Sequence, residues 1–117
     1  MTERIIVSAT IPNGASVSGA VDCNKRAIVG FVAPAAWTTA ALTIEASVVG
    51  TNWITSIFDS TGTAAGSFSA ITASAGYAVD LVSLVPWQSI RIRSGTSASP
   101  VNQGADRVFQ IIQRVLA

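Results

Sequence analysis

Short β-branched runs that alternate with turn-forming residues are the feature that most constrains the fold of this chain. Segment 42–48 (LTIEASV) places an apolar residue at every second position, and segment 89–94 (SIRIRS) does so with isoleucines. This two-residue period is that of a β-strand with one buried face. Turn sequences such as 11–14 (IPNG) and 50–52 (GTN) separate the runs. Because the runs return about every ten residues, the pattern predicts seven to nine short antiparallel strands.

Individual segments carry more specific predictions. We expect segment 53–58 to return beside 42–48 as its hairpin partner, with Glu45 on the solvent face. The closing run, 106–116, is predicted to be a strand and not a helix because β-branched residues are frequent in it. The remaining place for a helix is 34–41, where one short turn would close an end of the molecule.

The length of the chain sets its domain organisation. Its 117 residues suffice for one domain and leave no room for a second core. We therefore predict an all-β fold, an antiparallel β-sandwich with a jelly-roll-like arrangement and at most one short helical turn. Residues 1–15 form an N-terminal arm or the first strand, residues 16–117 form the single β-sandwich domain, and one strand of that domain covers 77–82.

The low content of charged residues indicates a protein that works in contact with other protein surfaces. Half of the residues are hydrophobic and only 11% are charged, against about 25% in an average protein. A monomer of this composition would expose a large uncharged surface, so we expect homo-oligomerisation or assembly with other proteins. The net charge is +1 without any block of like charges. The chain therefore lacks the basic stripe that nucleic-acid binding requires.

The residues that perform most enzymatic chemistry are missing or isolated in the sequence. There is no histidine, which removes the commonest general base and the commonest metal ligand. No two of the six carboxylates lie within five residues of each other, so neither a local acid–base pair nor a calcium loop can be recognised. We expect no catalytic residue, no cofactor and no metal, and hence a protein that is not an enzyme.

The single cysteine and the hydropathy of the chain indicate the compartment in which the protein is made. Cys23 is the single cysteine, so we expect a buried small hydrophobic residue and not a reactive thiol. The longest charge-free apolar region, 27–44, contains Pro34 and several threonines, which make it a poor membrane-spanning helix. These features predict synthesis in a reducing cytosol and no membrane partner.

The large aromatic residues admit two interpretations. Trp37, Trp53, Trp87 and Tyr77 could form a platform on which a sugar stacks, as in small carbohydrate-binding β-sandwiches. They could instead pack across the core, with their polar atoms bonded to loop carbonyls. Each tryptophan lies at the entry to or exit from a predicted strand, where the caps of a core usually lie. Core packing is therefore favoured.

The arginines of the strand at 89–94 are candidates for charge pairing. Arg91 and Arg93 point to the same face, and Arg107 on the last strand is a candidate neighbour. They could pair with carboxylates of a partner subunit or with Glu45 of the same sheet, and the sequence leaves both open. Because the chain has so few charges, each one is expected to set register or partner choice.

Two groups of segments resemble a known class of proteins. The first comprises 31–47 (FVAPAAWTTAALTIEAS) and 50–53 (GTNW), and the second comprises 90–96 (IRIRSGT), 100–103 (PVNQ) and 106–107 (DR). In these segments the chain resembles small virion proteins of tailed phages and prophages, and the second group is the more specific.

The resemblance covers residues 26–115 and implies a head decoration (cement) protein with a jelly-roll-like sandwich. Such a protein binds the outside of a phage capsid and stabilises it, with the major capsid protein or other virion proteins as partners. It would be a homo-oligomer, with a trimer favoured, made in the host bacterial cytoplasm and located in the virion. The alternatives are a neck, tail or spike component of the virion, or a carbohydrate-binding β-sandwich module.

Candidate contacts to a partner come from the first strand, the arginines and two long loops. Segment 5–7 could add a strand to a neighbour's sheet edge, and the loops 59–70 and 94–105 could become ordered on binding. The candidate residues are Ile5, Ile6, Val7, Arg91, Arg93, Asn102, Gln103 and Arg107.

Overall fold

A computed structural model describes residues 3–58, 60–79 and 87–115 of the protein. Within these residues the chain forms ten strands and no helix. The strand predicted at 77–82 lies partly outside the described residues. The strands are β1 (Arg4–Ile11), β2 (Val21–Asp22), β3 (Arg26–Val32), β4 (Leu42–Ser47), β5 (Ile57–Phe58), β6 (Ala64–Ala65), β7 (Ser67–Phe68), β8 (Gly76–Ala78), β9 (Ser89–Ser94) and β10 (Arg107–Val115).

The strands form two four-stranded sheets and one small two-stranded sheet. The first sheet has the order β1-β10-β3-β8, the second has the order β2-β9-β4-β7, and β5 pairs with β6. All of these neighbouring strands are antiparallel. The predicted all-β, antiparallel fold class is therefore confirmed, although the described residues form ten strands and not seven to nine, because several strands have only two residues.

The two larger sheets pack against each other around an apolar core. Phe31 on β3 of the first sheet meets Phe68 on β7 of the second in a T-shaped contact, with ring centroids 5.3 Å apart. Phe31 also lies 5.9 Å from the ring of Phe109 on β10. Isoleucines and alanines of both sheets complete one buried cluster. Because full burial of each large apolar side chain contributes about 1.5–3 kcal/mol, contact between the sheets stabilises the fold.

Strand β10 confirms the prediction that the closing run is a strand. Phe109, Ile111 and Gln113 point inward and are buried, whereas Val108 and Gln110 on the opposite face are exposed. This alternation follows from the two-residue period of the strand.

No helix in the described part of the chain is long and apolar enough to cross a membrane.

The partners and the outer face of β4 differ from the predictions. Strand β4 pairs along its whole length with β9 and at one end with β7. Segment 53–58 does return beside β4, but its pairing is limited to one antiparallel bridge, in which Ala46 and Ile54 exchange two backbone hydrogen bonds of 3.1 and 2.7 Å. The predicted hairpin is therefore reduced to a single bridge. Glu45 is fully buried and not on a solvent face. Glu45 is buried because Arg91 and Arg93 of β9 bond its carboxylate. The bridge to Ile54 lies at the other edge of β4, which it shares with β7.

Residues at the start of the chain belong to the body of the sandwich. Strand β1 pairs continuously with β10, from Arg4 beside Arg114 to Ile11 beside Arg107. Ile11 and Ala9 are buried in the core. Strand β1 lies at the end of the order β1-β10-β3-β8, so its second side is an edge of the first sheet.

Gly30 marks the closest approach of two strands in the first sheet. It lies on β3 opposite Ala78 of β8. A Cβ atom at this position would lie 2.8 Å from the carbonyl oxygen of Tyr77, which is closer than van der Waals contact allows. Glycine therefore permits β8 to pair with β3, and Tyr77 to stack on Phe31 with centroids 5.1 Å apart.

Candidate contact surface

The outer face of the first sheet is exposed and mostly uncharged, with apolar side chains among small polar ones. Ile6 on β1 is 54% exposed and Val108 on β10 is 47% exposed, and both point away from the core. The only charged side chains of β1 and β10 on this face are those of Arg4 and Arg114. These two residues lie opposite each other in the strand register, at one end of the two strands. The uncharged part consists of Ile6, Ser8, Thr10, Val108, Gln110 and Ile112 of these two strands, with Gly30, Val32, Gly76 and Ala78 of their neighbours. We call this surface the outer apolar face.

The backbone of β1 presents a row of free polar groups beside this face. The carbonyl of Glu3 accepts a hydrogen bond from the amide of Val115 at 2.9 Å. In an antiparallel pair the residues alternate between those that bond the partner strand and those that point away from it. The N–H and C=O groups of Arg4, Ile6, Ser8 and Thr10 therefore point outward, and the described residues provide no partner for them. We call this row the β1 edge.

The β1 edge differs from the other edges of the two large sheets. The strands at those edges, β2, β7 and β8, are only two or three residues long. Strand β1 is eight residues long and contains no proline, lysine or register shift. Short strands, prolines, lysines and bulges are the devices that protect edges from pairing with other chains. Strand β1 therefore has a long edge without such protection. It also contains the sequence-predicted contacts Ile5, Ile6 and Val7, of which Ile5 and Val7 are half-buried.

A buried carboxylate joins the two arginines of β9. Arg91 donates from Nε to Oε1 of Glu45 at 2.7 Å, and Arg93 donates from Nε to Oε2 at 2.5 Å. A terminal nitrogen of Arg93 also donates to Oε1 at 3.3 Å. The guanidinium carbon of Arg91 lies 4.6 Å from the ring centre of Trp53, in cation–π contact. We call these four residues the arginine cluster.

The geometry of the arginine cluster answers the question that the sequence left open. Both arginines pair with Glu45 of the same sheet, which explains why a carboxylate can be buried on the outer side of β4. The side chains of Arg91 and Arg93 are 21% and 15% exposed, so only a small part of each is accessible from outside. The cluster carries one net positive charge, since two arginines share one carboxylate.

Gln103 is a buried link between three segments of the chain. Its Oε1 accepts hydrogen bonds from the amide of Thr38 at 2.9 Å and from Nε of Arg107 at 3.0 Å. Its Nε2 donates to the carbonyl of Thr38 at 3.1 Å and to Oγ of Ser94 at 2.7 Å. Because Gln103 is only 1% exposed, its expected role as a partner contact is corrected to one in internal bonding.

The neighbours of Gln103 divide between internal and surface positions. Arg107 is half-buried and bonds Thr38 as well as Gln103. Asn102 is exposed and stays a candidate contact. Gly95 begins the loop with φ of 82°, where an added Cβ would lie 2.4 Å from the carbonyl oxygen of Ser99. The segments 94–96 and 100–103, which carry the more specific resemblance, thus form a tightly bonded loop between β9 and β10.

Most of the large aromatic residues pack against the core. Trp37, Trp87 and Tyr77 are partly buried against the central cluster. Trp37 lies 5.4 Å from Phe109, and its indole N–H donates to the carbonyl of Ala40 at 3.3 Å. For these three residues the favoured interpretation as core caps is confirmed. Trp53 instead covers Arg91 at the surface of the second sheet.

An open cleft that the sequence did not predict lies where β4, β5, β6 and β7 meet the loop after β9. Its volume is about 290 Å³, and an exposed aromatic ring, that of Phe58, lies at it. Most of the other lining side chains carry hydroxyl groups. The lining consists of Thr43, Thr55, Ser56, Ile57, Phe58, Ala64, Ser67, Thr96, Ser97 and Ala98. No single short segment contains these residues, so only the folded chain brings them together.

Cys23 is buried near the end of the second sheet, as predicted. Burial raises the pKa of its thiol to about 11 from the ordinary value of 9.0, and the negative charge of Asp22 acts in the same direction. A thiol with such a raised pKa is protonated at neutral pH and therefore a weak nucleophile. Its S–H group points to the carbonyl of Val21 at 3.6 Å.

These features define the protein as a small antiparallel β-sandwich with a long free strand edge and an exposed apolar face. The same fold is found in the SPBc2 prophage-derived protein YomS, whose crystal structure superimposes with a TM-score of 0.55. The two proteins are 12% identical, and the match covers 97% of this chain and 96% of YomS. At this identity the likeness concerns the fold alone. No family model matches the sequence, and no curated protein is significantly similar to it.

Proposed function

We propose that the protein is a structural component of a phage particle that binds the outside of the capsid and stabilises it. It acts through protein–protein contacts and not as an enzyme, and its partner is the major capsid protein. The proposal is supported by the fold that the chain shares over nearly its whole length with a prophage-derived protein. It is also supported by the resemblance of segments 31–53 and 90–107 to virion proteins of tailed phages.

The observation that carries the proposal is the outer apolar face. A decoration protein must attach through many weak contacts that symmetry repeats over the capsid. Contact through an apolar face requires the removal of water from few charged groups, which keeps the desolvation cost low. Ile6 and Val108 expose about half of their surfaces on this face, and the charges of its two long strands are confined to Arg4 and Arg114 at one end.

Attachment to heads tests the proposal directly. Purified protein is mixed with DNA-filled heads that lack it, and the bound fraction is measured after pelleting. We expect Val108→Glu to weaken binding at least about tenfold, because the substitution would bury a charge in the contact. A tenfold loss of affinity corresponds to about 1.4 kcal/mol of binding free energy.

The matched control is Val48→Glu, because Val48 is also exposed, at 59% against 47% for Val108, but lies directly after β4 of the second sheet. Val48→Glu should bind heads like the native protein. Equal binding by both variants would refute contact through the outer apolar face. Failure of the native protein to pellet with any heads would refute the decoration role, and labelling of necks, tails or spikes in electron micrographs would place the protein there instead.

The cleft at Phe58 favours a second candidate function, the binding of a carbohydrate. Exposed aromatic rings stack on sugars, and hydroxyl groups can exchange hydrogen bonds with them. Calorimetric titration with host surface glycans would show binding that Phe58→Ala abolishes. Binding that survives this substitution would exclude the cleft as the site.

A further inference from the structure

We propose that two copies of the protein associate through their β1 edges to form a dimer with two-fold symmetry. The two β1 strands would run antiparallel and join the first sheets of both copies into one continuous sheet. The inference depends on the geometry of β1 and not on the proposed attachment to capsids, so either can be correct without the other.

The outward backbone groups fix the register of the pairing. The free N–H and C=O groups belong to Arg4, Ile6, Ser8 and Thr10. One antiparallel register uses all of them, with Arg4 opposite Thr10 and Ile6 opposite Ser8 of the second copy. It forms about eight hydrogen bonds, two for each of the four pairs. Any shift of this register leaves some of these groups without a partner, and a typical interface contains about ten direct hydrogen bonds.

The side chains agree with this register on both faces of the joined sheet. Val7 lies opposite Val7 of the second copy, and Ile5 lies opposite Ala9, so the half-buried apolar side chains cover each other. On the outer face the two copies of Ile6 are diagonal neighbours across the two-fold axis. Such cross-strand apolar pairs stabilise sheets. Arg4 faces Thr10, so no pair of like charges is created.

The lengths of the other edges favour a two-fold dimer over a ring. In a ring such as the trimer expected from the resemblance, β1 of one copy would pair with a different edge of the next. The remaining edge strands have two or three residues, the longest being β8 (Gly76–Ala78). Pairing of β1 with any of them leaves most of the β1 edge unbonded. Among the edges that the described residues form, a second β1 alone has a matching length.

Sedimentation analysis over a range of protein concentrations tests the association. We expect the native chain to form a dimer that Ser8→Pro converts to a monomer. The amide of Ser8 points away from β10, so proline removes an outward donor and leaves the bonds between β1 and β10 intact. Ile6→Lys should also raise the dissociation constant at least about tenfold, because two positive charges would meet near the two-fold axis.

Val108→Lys is the matched control for Ile6→Lys. Val108 is exposed to a similar extent on the same face, but it lies on β10 and not at the edge. Its substitution should leave the dimer unchanged, and circular dichroism verifies that each variant is folded. A native chain that stays monomeric at all concentrations, or that forms a trimer, overturns the proposal. The proposal is also overturned if Ile6→Lys raises the dissociation constant of the dimer no more than Val108→Lys does.

Disulfide cross-linking tests the register in a background in which Cys23 is replaced by alanine. Position 7 is its own partner across the two-fold axis, so Val7→Cys should give a covalent dimer on mild oxidation. The control Ile5→Cys should not, because the two copies of position 5 are separated by four residues along the strands. Equal cross-linking of both variants, or of neither, contradicts this register.

Discussion

At the scale of single residues, Glu45 shows what an alternating sequence pattern can predict, namely the face of the strand on which a side chain lies. The period of 42–48 places Glu45 correctly on the face opposite Leu42 and Ile44. It cannot show whether that face is solvated, because the cover comes from Arg91, Arg93 and Trp53, which are distant in sequence. The pairing of the arginines with Glu45 was one of two alternatives from sequence, and the spatial register of β4 and β9 selects it.

Removal of the charge of Glu45 should destabilise the fold. Glu45→Gln leaves Arg91 and Arg93 beside each other without a carboxylate, and we expect the free energy of unfolding to fall by about 2–4 kcal/mol. Urea denaturation followed by tryptophan fluorescence measures the change. The control is Glu3→Gln, since Glu3 is exposed and should change stability by less than about 0.5 kcal/mol. A similar small effect of both substitutions would mean that the cluster does not stabilise the fold.

The buried thiol of Cys23 should make stability depend on alkaline pH. Its pKa in the folded chain is about 11, against an ordinary value of 9.0. Between these values the unfolded chain loses the proton first, so the free energy of unfolding falls as the pH rises. The loss should reach roughly 2 kcal/mol at pH 11 and vanish below about pH 9.

Cys23→Ala isolates this contribution of the thiol. The variant lacks the ionising group, so its stability should decline less steeply than that of the native chain between pH 9 and 11 in parallel urea titrations. Parallel pH profiles of the two proteins would contradict the raised pKa.

At the scale of elements, the sequence identifies strands better than it identifies their partners. The alternation in 89–94 and the β-branched composition of 106–116 correctly predict β9 and β10. The main partner of β4 was missed, because local periodicity indicates only the short connection to 53–58, which forms a single bridge at Ile54. Strand β9, which pairs along the whole of β4, lies more than forty residues further along the chain. Such long-range pairing depends on how whole sheets pack, which local periodicity does not encode.

Close packing of β3 against β8 should make Gly30 sensitive to substitution. Gly30→Ala places a Cβ atom against the backbone of Tyr77, and we expect a loss of about 1–3 kcal/mol in the free energy of unfolding. Thermal or urea denaturation measures it. Gly19→Ala is the control, because no atom lies within 4 Å of a Cβ at that position. Equal stability of the two variants would show that β8 can move away at no cost.

At the scale of the whole molecule, composition and surface are consistent with each other. The sequence predicts a surface poor in charge, and the outer apolar face concentrates this property on one side of the first sheet. Composition alone could not locate that face. The serines, threonines and alanines that are expected on a surface poor in charge occur along the entire chain, so they do not mark one side of the molecule. The contacts expected of Gln103 were misplaced for a related reason, because a polar loop residue is read as exposed until the fold encloses it.

The inequality of the sheet edges has a consequence for the size of any assembly. A chain with two long edges on opposite sides of one sheet can add copies without limit and grow into fibrils. Within the described residues, the side of the first sheet opposite β1 is formed by three residues, Gly76–Ala78, which give an incoming strand too few hydrogen bonds to hold it. Growth along the sheet would therefore terminate after the first addition. Association through β1 would therefore give a closed pair of sheets and not a fibril.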